Sequence, residues 1–317
     1  MGEKIKYPWG NSRPFNSYTD YCKTKYGSRV QKVSINAGFS CPNRDGTVGT
    51  GGCTFCNNKG FVPTYCHDNQ SVAIQLDRGL SFLKERYKRA AIFVAYFQAY
   101  SNTYGELAKL KEVFGEALSH VDISGISIGT RPDCVDEEKL DYIAKLADKY
   151  IVSVEYGLES IYDETLIRIN RGHTFEESRD AIIKTASRGV HTTAHFIIGL
   201  PGETSEQILD QSKVISQLPI NSVKFHQLQI VKDTVMAAQY QENPHQFRFF
   251  ELKEYVELMV RFLENLRPEI AVERFASEVP PQFNLRPSWN KIRNYQVTQM
   301  IEKEMIAKNT WQGKKCI

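Results

Sequence analysis

The strongest constraint on the fold is an alternation that runs through most of the chain. Short β-rich runs at Lys32–Asn36, Ile92–Phe97, Ile123–Ile128, Ile151–Tyr156, His191–Ile198 and Ser222–Ile230 are separated by helical patterns near residues 72–89, 105–119, 137–149, 163–188 (in two pieces) and 204–217. Strand then helix, repeated, predicts a parallel sheet with helices outside it. The strands are not apolar throughout, as those of a doubly wound sheet would be. On the fourth, Val152, Val154, Tyr156 and Leu158 share one face, and Ser153, Glu155, Gly157 and Glu159 the other. On the first, Lys32, Ser34 and Asn36 alternate with Val33 and Ile35; on the sixth, Lys224 and His226 alternate with Val223 and Phe225. One polar face on strand after strand predicts an α/β barrel with a wet interior. In such barrels the chemistry sits at the C-terminal strand ends.

After Ile230 the pattern changes. A helix is expected near residues 250–267, a strand over Glu269–Phe275, and an irregular stretch at Pro280, Pro281 and Pro287 before a last helix at 289–308. The expected organisation is a basic aromatic N-terminal segment (1–30), a barrel (31–232) and a small C-terminal α+β appendage (233–317) that packs on the barrel.

A glycine-rich loop directly after the first strand carries Cys41, Cys53 and Cys56, spaced Cys-x11-Cys-x2-Cys. Cysteines this close, on a loop that glycines allow to wrap, read as a metal or iron–sulfur site rather than a disulfide framework. Three is the informative number. A structural zinc or an ordinary cluster takes four protein ligands, whereas three thiolates on a 4Fe–4S cluster leave one iron open to something that reacts. The alternative is zinc, with Cys66 or His67 as fourth ligand. Cys22, Cys66, Cys134 and Cys316 stand in no close pair and read as ordinary thiols.

No apolar run is long enough for a transmembrane helix, and the first ten residues hold no apolar signal core. With scattered cysteines that fit a reducing compartment, the expected location is the cytoplasm. The net charge of +3 hides an asymmetry. Residues 1–32 carry seven Lys or Arg against Glu3 and Asp20, about +5, and residues 286–317 carry seven against Glu302 and Glu304, again about +5. Both ends also hold aromatics, among them Tyr7, Trp9, Tyr18, Tyr21, Trp289 and Trp311. Cationic surface attracts phosphates and aromatic rings stack on unpaired bases, so these ends are candidate RNA contacts. The plainer reading is a pair of solvated basic termini.

The three-cysteine loop, with Phe55 before its last cysteine, resembles the hallmark of the radical S-adenosylmethionine (SAM) enzymes. Further segments resemble that superfamily: Gln98-Ala99-Tyr100 after the second strand, Gly129-Thr130-Arg131-Pro132-Asp133 after the third, and Glu155-Tyr156-Gly157-Leu158-Glu159-Ser160 on the fourth. Asn170-Arg171-Gly172-His173 and His195-Phe196-Ile197-Ile198-Gly199-Leu200-Pro201-Gly202-Glu203-Thr204 also match. The superfamily match covers about residues 30–230. The long first cysteine spacing, the Phe97–Tyr104 stretch and the segment around Arg274 narrow it to short bacterial YhcC/YtqA-type proteins, related to the radical SAM domain of the Elongator catalytic subunit.

The resemblance implies a partial (β/α)6 TIM-like barrel in which Cys41, Cys53 and Cys56 hold a 4Fe–4S cluster. It implies SAM on the open iron, near Phe55, Gln98, Tyr100, Thr130, Glu155, Gly157, Glu159, Arg171, His195 and Ile197. Gln98 and Tyr100 lie where the amino end of SAM is received, and the stretch 155–160 resembles a ribose-contacting segment. Arg171 suits the SAM carboxylate, since a guanidinium matches a carboxylate in a fork; its alternative is a helix C-terminal cap. The strand edge at His195 and Ile197 would meet adenine, although Gly-Leu-Pro-Gly alone is equally a tight turn with Thr204 as N-cap. Arg131 is a candidate for a substrate anion. Lys224 and His226 are the candidate substrate-facing pair, against a core histidine. Tyr100 and Tyr104 are equally suited to packing. The implied reaction is radical editing of the C5 side chain of a tRNA wobble uridine, in the bacterial relatives a trimming of carboxymethylaminomethyl towards aminomethyl. Implied partners are a tRNA anticodon loop and an external electron donor such as flavodoxin or ferredoxin. The alternatives are a radical SAM enzyme on a small molecule and a zinc-stabilised RNA-binding module.

Overall fold

The strand–helix alternation folds as a single parallel sheet. The computed structural model describes residues 6–58, 62–63, 65–66, 70–87, 91–287, 289 and 292–316. Strands β1 (Val30–Ile35), β2 (Ile92–Phe97), β3 (Ile123–Thr130), β4 (Ile151–Glu159), β5 (His191–Ile198) and β6 (Ser222–Gln227) lie side by side in chain order. After a short β7 (Ile230–Val231), β8 (Ala271–Arg274) pairs with β6 as a seventh parallel strand. β9 (Asn284–Arg286) pairs antiparallel with β7. The sheet curls into a half-barrel. Lys32 on β1 bonds both Glu155 on β4 and Glu273 on β8, so the first, fourth and last strands face one another.

The helices are α1 (Tyr18–Tyr26), α2 (Val72–Arg86), α3 (Leu107–Ser119), α4 (Glu137–Ala147), α5 (Asp163–Arg168), α6 (Phe175–Ala186), α7 (Ser205–Gln217), α8 (Val235–Glu242), α9 (Leu252–Glu264) and α10 (Asn294–Ala307). Their starts are written in the sequence. Ser71 and Asp136 accept from the first-turn amides of α2 and α4. Thr174 with Glu177, and Thr204 with Gln207, form reciprocal capping boxes.

The alternation on β4 separates two environments. Val152, Val154, Tyr156 and Leu158 are buried in the core, where Tyr156 reaches Thr185 of α6 at 2.8 Å. The opposite faces of the strands turn into the half-barrel. There Ser127 and Ser153, and Thr193 and Ser222, bond in pairs at 2.9 and 2.7 Å.

Four features depart from the expectation. β6 ends at Gln227 because its pairing with β5 stops there and the chain turns to meet β9. The strand expected at Glu269–Phe275 does not merely pack on the barrel; it completes the sheet. Helix α8 has no counterpart in the sequence pattern. Nor has α1, whose buried contribution is Cys22 alone and which therefore carries no amphipathic signal.

Helix α1 also relocates the N-terminal aromatics. Ser17 bridges Val272 of β8, and Tyr21 contacts His191, the first residue of β5. The segment therefore sits at the N-terminal strand ends. The C-terminus joins it: Trp311 packs on Tyr7, and Gln312 bonds Asn16 and the carbonyls of Arg267 and Ile270, just before β8. The N-terminal aromatics and Trp311 thus gather opposite the cysteine loop, whereas Arg286 lies on β9, paired with β7 beside the cavity-lining Val231. Among the described residues, no helix is long and apolar enough to cross a membrane.

Candidate active site

The C-terminal strand ends surround a cavity of about 460 Å³. Cys41, Cys53 and Cys56 line one wall. Their loop is fixed from several sides. Asn43 donates to the Asn170 carbonyl at 2.5 Å, Asn170 to the Gly52 carbonyl at 2.9 Å, and Arg44 to the Cys56 carbonyl at 3.1 Å. Gly51 and Gly52 take φ +78° and +83°, which admits the turn before Cys53 at little cost. The Cys53 Sγ is approached by Asn43 Nδ2 at 3.6 Å and Arg171 Nη1 at 3.5 Å. Among the described residues, enclosed polar atoms in and near this loop, including Asn43 Oδ1, Thr54 Oγ1 and Arg171 Nε, have no hydrogen-bond partner. Among the described residues, no three ligating side chains converge tightly enough for a single ion. Cys66 turns away, donating to the Ser34 carbonyl at 3.0 Å, and burial raises its thiol to about 12. His67 lies outside the described residues.

The other residues singled out from the sequence gather in the same cavity, with one exception. Phe55, Gln98, Tyr100, Thr130, Arg131, Glu155, Gly157, Glu159, Arg171, His195, Ile197 and His226 all line it. Lys224 does not: it is 2 % exposed and lies 2.5 Å from Glu155 and 3.2 Å from Glu273. It points inward as its alternation requires, but two carboxylates draw its ammonium beneath the cavity surface.

Several of these side chains are already engaged. Gln98 accepts from Ser34 at 3.1 Å, and Thr130 shares a 2.6 Å bond with Thr103. Arg131 forks onto Asp133 at 2.8 and 2.7 Å and donates its other nitrogen to the Arg171 carbonyl at 2.6 Å. Such an arginine positions the Arg171 loop and has little left for an incoming anion. Arg171 donates to the Gly157 carbonyl at 2.5 Å and stands 3.7 Å from Glu159. Burial would lower its basicity, but Cys53 and Glu159 hold the guanidinium charged; burial pushes the Glu159 carboxyl up. Tyr100 and Glu159 both take positive φ, +60° and +68°, at the cavity rim. Non-glycine residues hold that conformation where surrounding structure over-determines it, often at functional sites.

Glu155 anchors the floor. It accepts from Lys224 (2.5 Å), Ser127 (2.6 Å), His195 (2.8 Å) and Lys32. Burial alone would raise its carboxyl, but Lys224 and Lys32 pull it well below the usual range. His195 is held down to about 4 by burial and by Lys224, so it is a neutral donor at pH 7.

Sequence reasoning missed Arg44, Tyr96, Arg274 and Ser277 as cavity residues. Arg274 and Glu273 had a readable signal, two charges inside an expected strand, the same signal that singles out Lys224 and His226. Tyr96 had none, since it follows apolar residues on β2.

The comparisons with known proteins accord with this geometry. The family model described as the radical SAM superfamily matches residues 43–211, and the radical SAM C-terminal domain matches 220–307. The chain is 32 % identical to the uncharacterized protein YtqA of Bacillus subtilis over 99 % of this chain and 97 % of that one. It is 35 % identical to protein YhcC of Escherichia coli over 84 % of each. More distantly, it is 26 % identical to a tRNA-2-methylthio-N(6)-dimethylallyladenosine synthase of Fusobacterium nucleatum, over 83 % of this chain and 60 % of that one. Among solved structures it resembles the archaeal Elp3 of Methanocaldococcus infernus, with a TM-score of 0.68 at 16 % identity, covering 89 % of this chain and 64 % of that chain. A cysteine wall, a curled parallel sheet and matches over nearly the whole length agree: the chain belongs to the radical SAM superfamily.

Proposed function

We propose that this radical SAM enzyme binds a 4Fe–4S cluster and SAM in the 460 Å³ cavity and modifies the C5 side chain of a tRNA wobble uridine. The family implies both cofactors. The residues present fit them. The three thiols occupy one wall, two nitrogen donors approach Cys53 Sγ, and enclosed polar atoms beside the loop await partners. With both groups held there, the chemistry supplied would be one-electron reductive cleavage of SAM to methionine and a 5′-deoxyadenosyl radical able to abstract hydrogen from substrate.

The chain's own residues bind, orient and exclude water. Cys41, Cys53 and Cys56 would hold the cluster, and Arg171 stands beside Cys53 with a charged fork suited to a carboxylate. Gln98, Tyr100, Thr130, Gly157, Glu159, His195 and Ile197 form the remaining walls around SAM. Glu155, held charged by two lysines, orients His195 with its Nε2–H fixed. Delivery of the electron calls for an external donor such as flavodoxin or ferredoxin. The observation that carries the reading is the meeting of the cysteine wall and the Arg171–Gly157–Glu159 group in one cavity.

The tRNA assignment rests on the names of distant relatives. The synthase from Fusobacterium nucleatum is named for tRNA, and yeast Elongator complex protein 3 is 23 % identical over 49 % of this chain. A base would be turned out of its stack to reach so deep a pocket. One observation favours a small-molecule substrate instead: the N-terminal aromatics and Trp311 lie away from the mouth.

Anaerobic reconstitution with iron and sulfide, then dithionite and SAM, tests the first step. Equal amounts of methionine and 5′-deoxyadenosine are expected; a colourless protein that makes neither overturns the cofactor reading. Nucleoside profiles of total tRNA from cells with and without the gene test the substrate. Unchanged wobble uridines would leave the small-molecule reading.

A further inference from the structure

The floor of the cavity carries one positive charge too many. Three cations meet there: Lys32, Lys224 and Arg274. Lys32 lies 2.6 Å from Glu273, and Lys224 lies 2.5 Å from Glu155 and 3.2 Å from Glu273. Glu155 also accepts from Lys32. The two lysines and two glutamates therefore balance. Burial lowers Lys224 from its usual range, and the carboxylates on two sides oppose that shift.

Arg274 has no such partner. Its Nη2 lies 2.6 Å from Nε2 and 3.1 Å from Nδ1 of His226, and among the described residues it forms no ion pair. A ring nitrogen can accept from a guanidinium only when its lone pair is free, so His226 is neutral here and adds no negative charge. Burial, with Arg274 itself, keeps the His226 ring well below its usual range. His195, the next ring, 5.7 Å away, gives its Nε2–H to Glu155 and is neutral too. Among the described residues, the enclosed Arg274 Nε has no hydrogen-bond partner. Glu278, on the same cavity wall, is taken by Arg293 at 2.7 Å.

Arg274 is half-buried, and a partly desolvated charge without a counterion gains from a partner that arrives. Arg274 also faces the cavity, where a substrate would lie. We propose that Arg274, with His226 beside it, receives a carboxylate carried by the substrate, so that the group to be modified ends in an acid. The surplus of one charge matches a monoanion; a phosphate monoester would bring about two. A guanidinium also offers the planar fork that a carboxylate fills. Two carboxylates have access to this cavity, that of the substrate and that of SAM. Arg171, beside Cys53, is the better placed for SAM, whereas Arg274 belongs to the group on β6 and β8.

The choice of probe rests on the wobble-uridine reading; the anion site does not. Binding of malonate monomethyl ester, 5-carboxymethyluridine, its methyl ester and SAM is measured calorimetrically on the reconstituted wild-type protein and on Arg274→Gln and Arg274→Lys. The wild type is expected to prefer the acid nucleoside over its ester by about tenfold or more, as for a charge-assisted bond. Arg274→Gln should lose that preference, Arg274→Lys should keep most of it, and SAM affinity should stay the same in all three. Equal binding of acid and ester by the wild type, or a preference that survives in Arg274→Gln, overturns the proposal. A loss of SAM affinity in Arg274→Gln overturns it as well, by assigning the arginine to SAM. If the simple malonate ester depends on Arg274 and the nucleoside binds no better than it, the anion site stands and the uridine reading fails. Unchanged melting temperatures in both variants establish that the effects are local.

Discussion

Lys32 Nζ on the first strand lies 2.6 Å from Glu273 Oε2 on the last, so one ion pair spans the two edges of the curled sheet. Their side chains are 13 % and 16 % exposed. Removing one partner of a buried pair strands the other in a low dielectric. Lys32→Met is expected to cost about 3–5 kcal/mol in urea unfolding. Replacing Lys32 and Glu273 together by apolar residues should cost clearly less than the sum of the single changes. Additive costs would show that the pair does not hold the edges together.

The neutral histidines of the interior give a pH dependence with a definite sign. His195 is held down to about 4 and His191 to about 3, chiefly by burial, against 6.5 in the free side chain. Between those values the unfolded chain takes up protons that the folded chain refuses. Stability therefore rises with pH across this window and declines as pH falls from 6.5 towards 4. For His195 the full decline is about 3 kcal/mol. Denaturation midpoints at pH 7.5 and pH 5 should differ accordingly, and His195→Asn should flatten the slope. A midpoint that does not move between these pH values would contradict the neutral assignment.

Much of this architecture was legible because it follows from periodicity. The split of β4 into Val152-Val154-Tyr156-Leu158 and Ser153-Glu155-Gly157-Glu159 is a period-two pattern, and the two faces go to the core and the half-barrel interior as it requires. Thr174 and Thr204 announce their helices through residues three positions away. What was not legible depends on contacts distant in sequence. Nothing local reveals that Arg131 is spent on Asp133 and the Arg171 carbonyl, or that Glu273 lies across from Lys32. The terminal aromatics are ambiguous for the same reason. Basic, aromatic composition describes a surface that binds RNA equally well as a segment whose rings stack on one another, as Tyr7 does on Trp9 and Trp311.

The three-thiol reading separates from the zinc reading by substitution. Cys41→Ala, Cys53→Ala and Cys56→Ala should each abolish brown colour and iron content after anaerobic reconstitution. Cys66→Ala should retain both, because its thiol points to the Ser34 carbonyl, away from the cysteine wall. Zinc bound in place of iron, and released on changing Cys66, would restore the four-ligand alternative.

Gly157 is a position where an added Cβ would meet the ends of two functional side chains. A Cβ there would lie 2.6 Å from Glu159 Oε1 and 2.7 Å from Arg171 Nη2. Gly157→Ala must push the guanidinium off the Gly157 carbonyl and away from Cys53. A destabilisation of about 1–3 kcal/mol is expected from the overpacking. SAM affinity, by equilibrium dialysis of the reconstituted protein, should fall about tenfold or more, the cost of a misplaced charged hydrogen bond. Iron content should be unchanged. Normal SAM affinity in a folded Gly157→Ala protein would remove Arg171 from the SAM site.

If RNA is the substrate, it approaches from the end of the strands that carries the cysteine loop. Exposed Lys232 and Arg286 flank that end, where β7 and β9 pair beside the cavity-lining Val231. Lys23 and Lys25 lie on α1, at the opposite end with Tyr21 and His191. Removing one phosphate-binding cation should lower the slope of log affinity against log salt by about 1. Lys232→Glu with Arg286→Glu is therefore expected to weaken binding of an anticodon stem-loop and to reduce the slope by about 2. Lys23→Glu with Lys25→Glu should change neither. The reverse outcome, with binding abolished only on changing α1, would return the N-terminal segment to the RNA-binding role that its composition suggests. It would also require a route from that face to the cavity, past the rings of Tyr18 and Tyr21 that pack against His191.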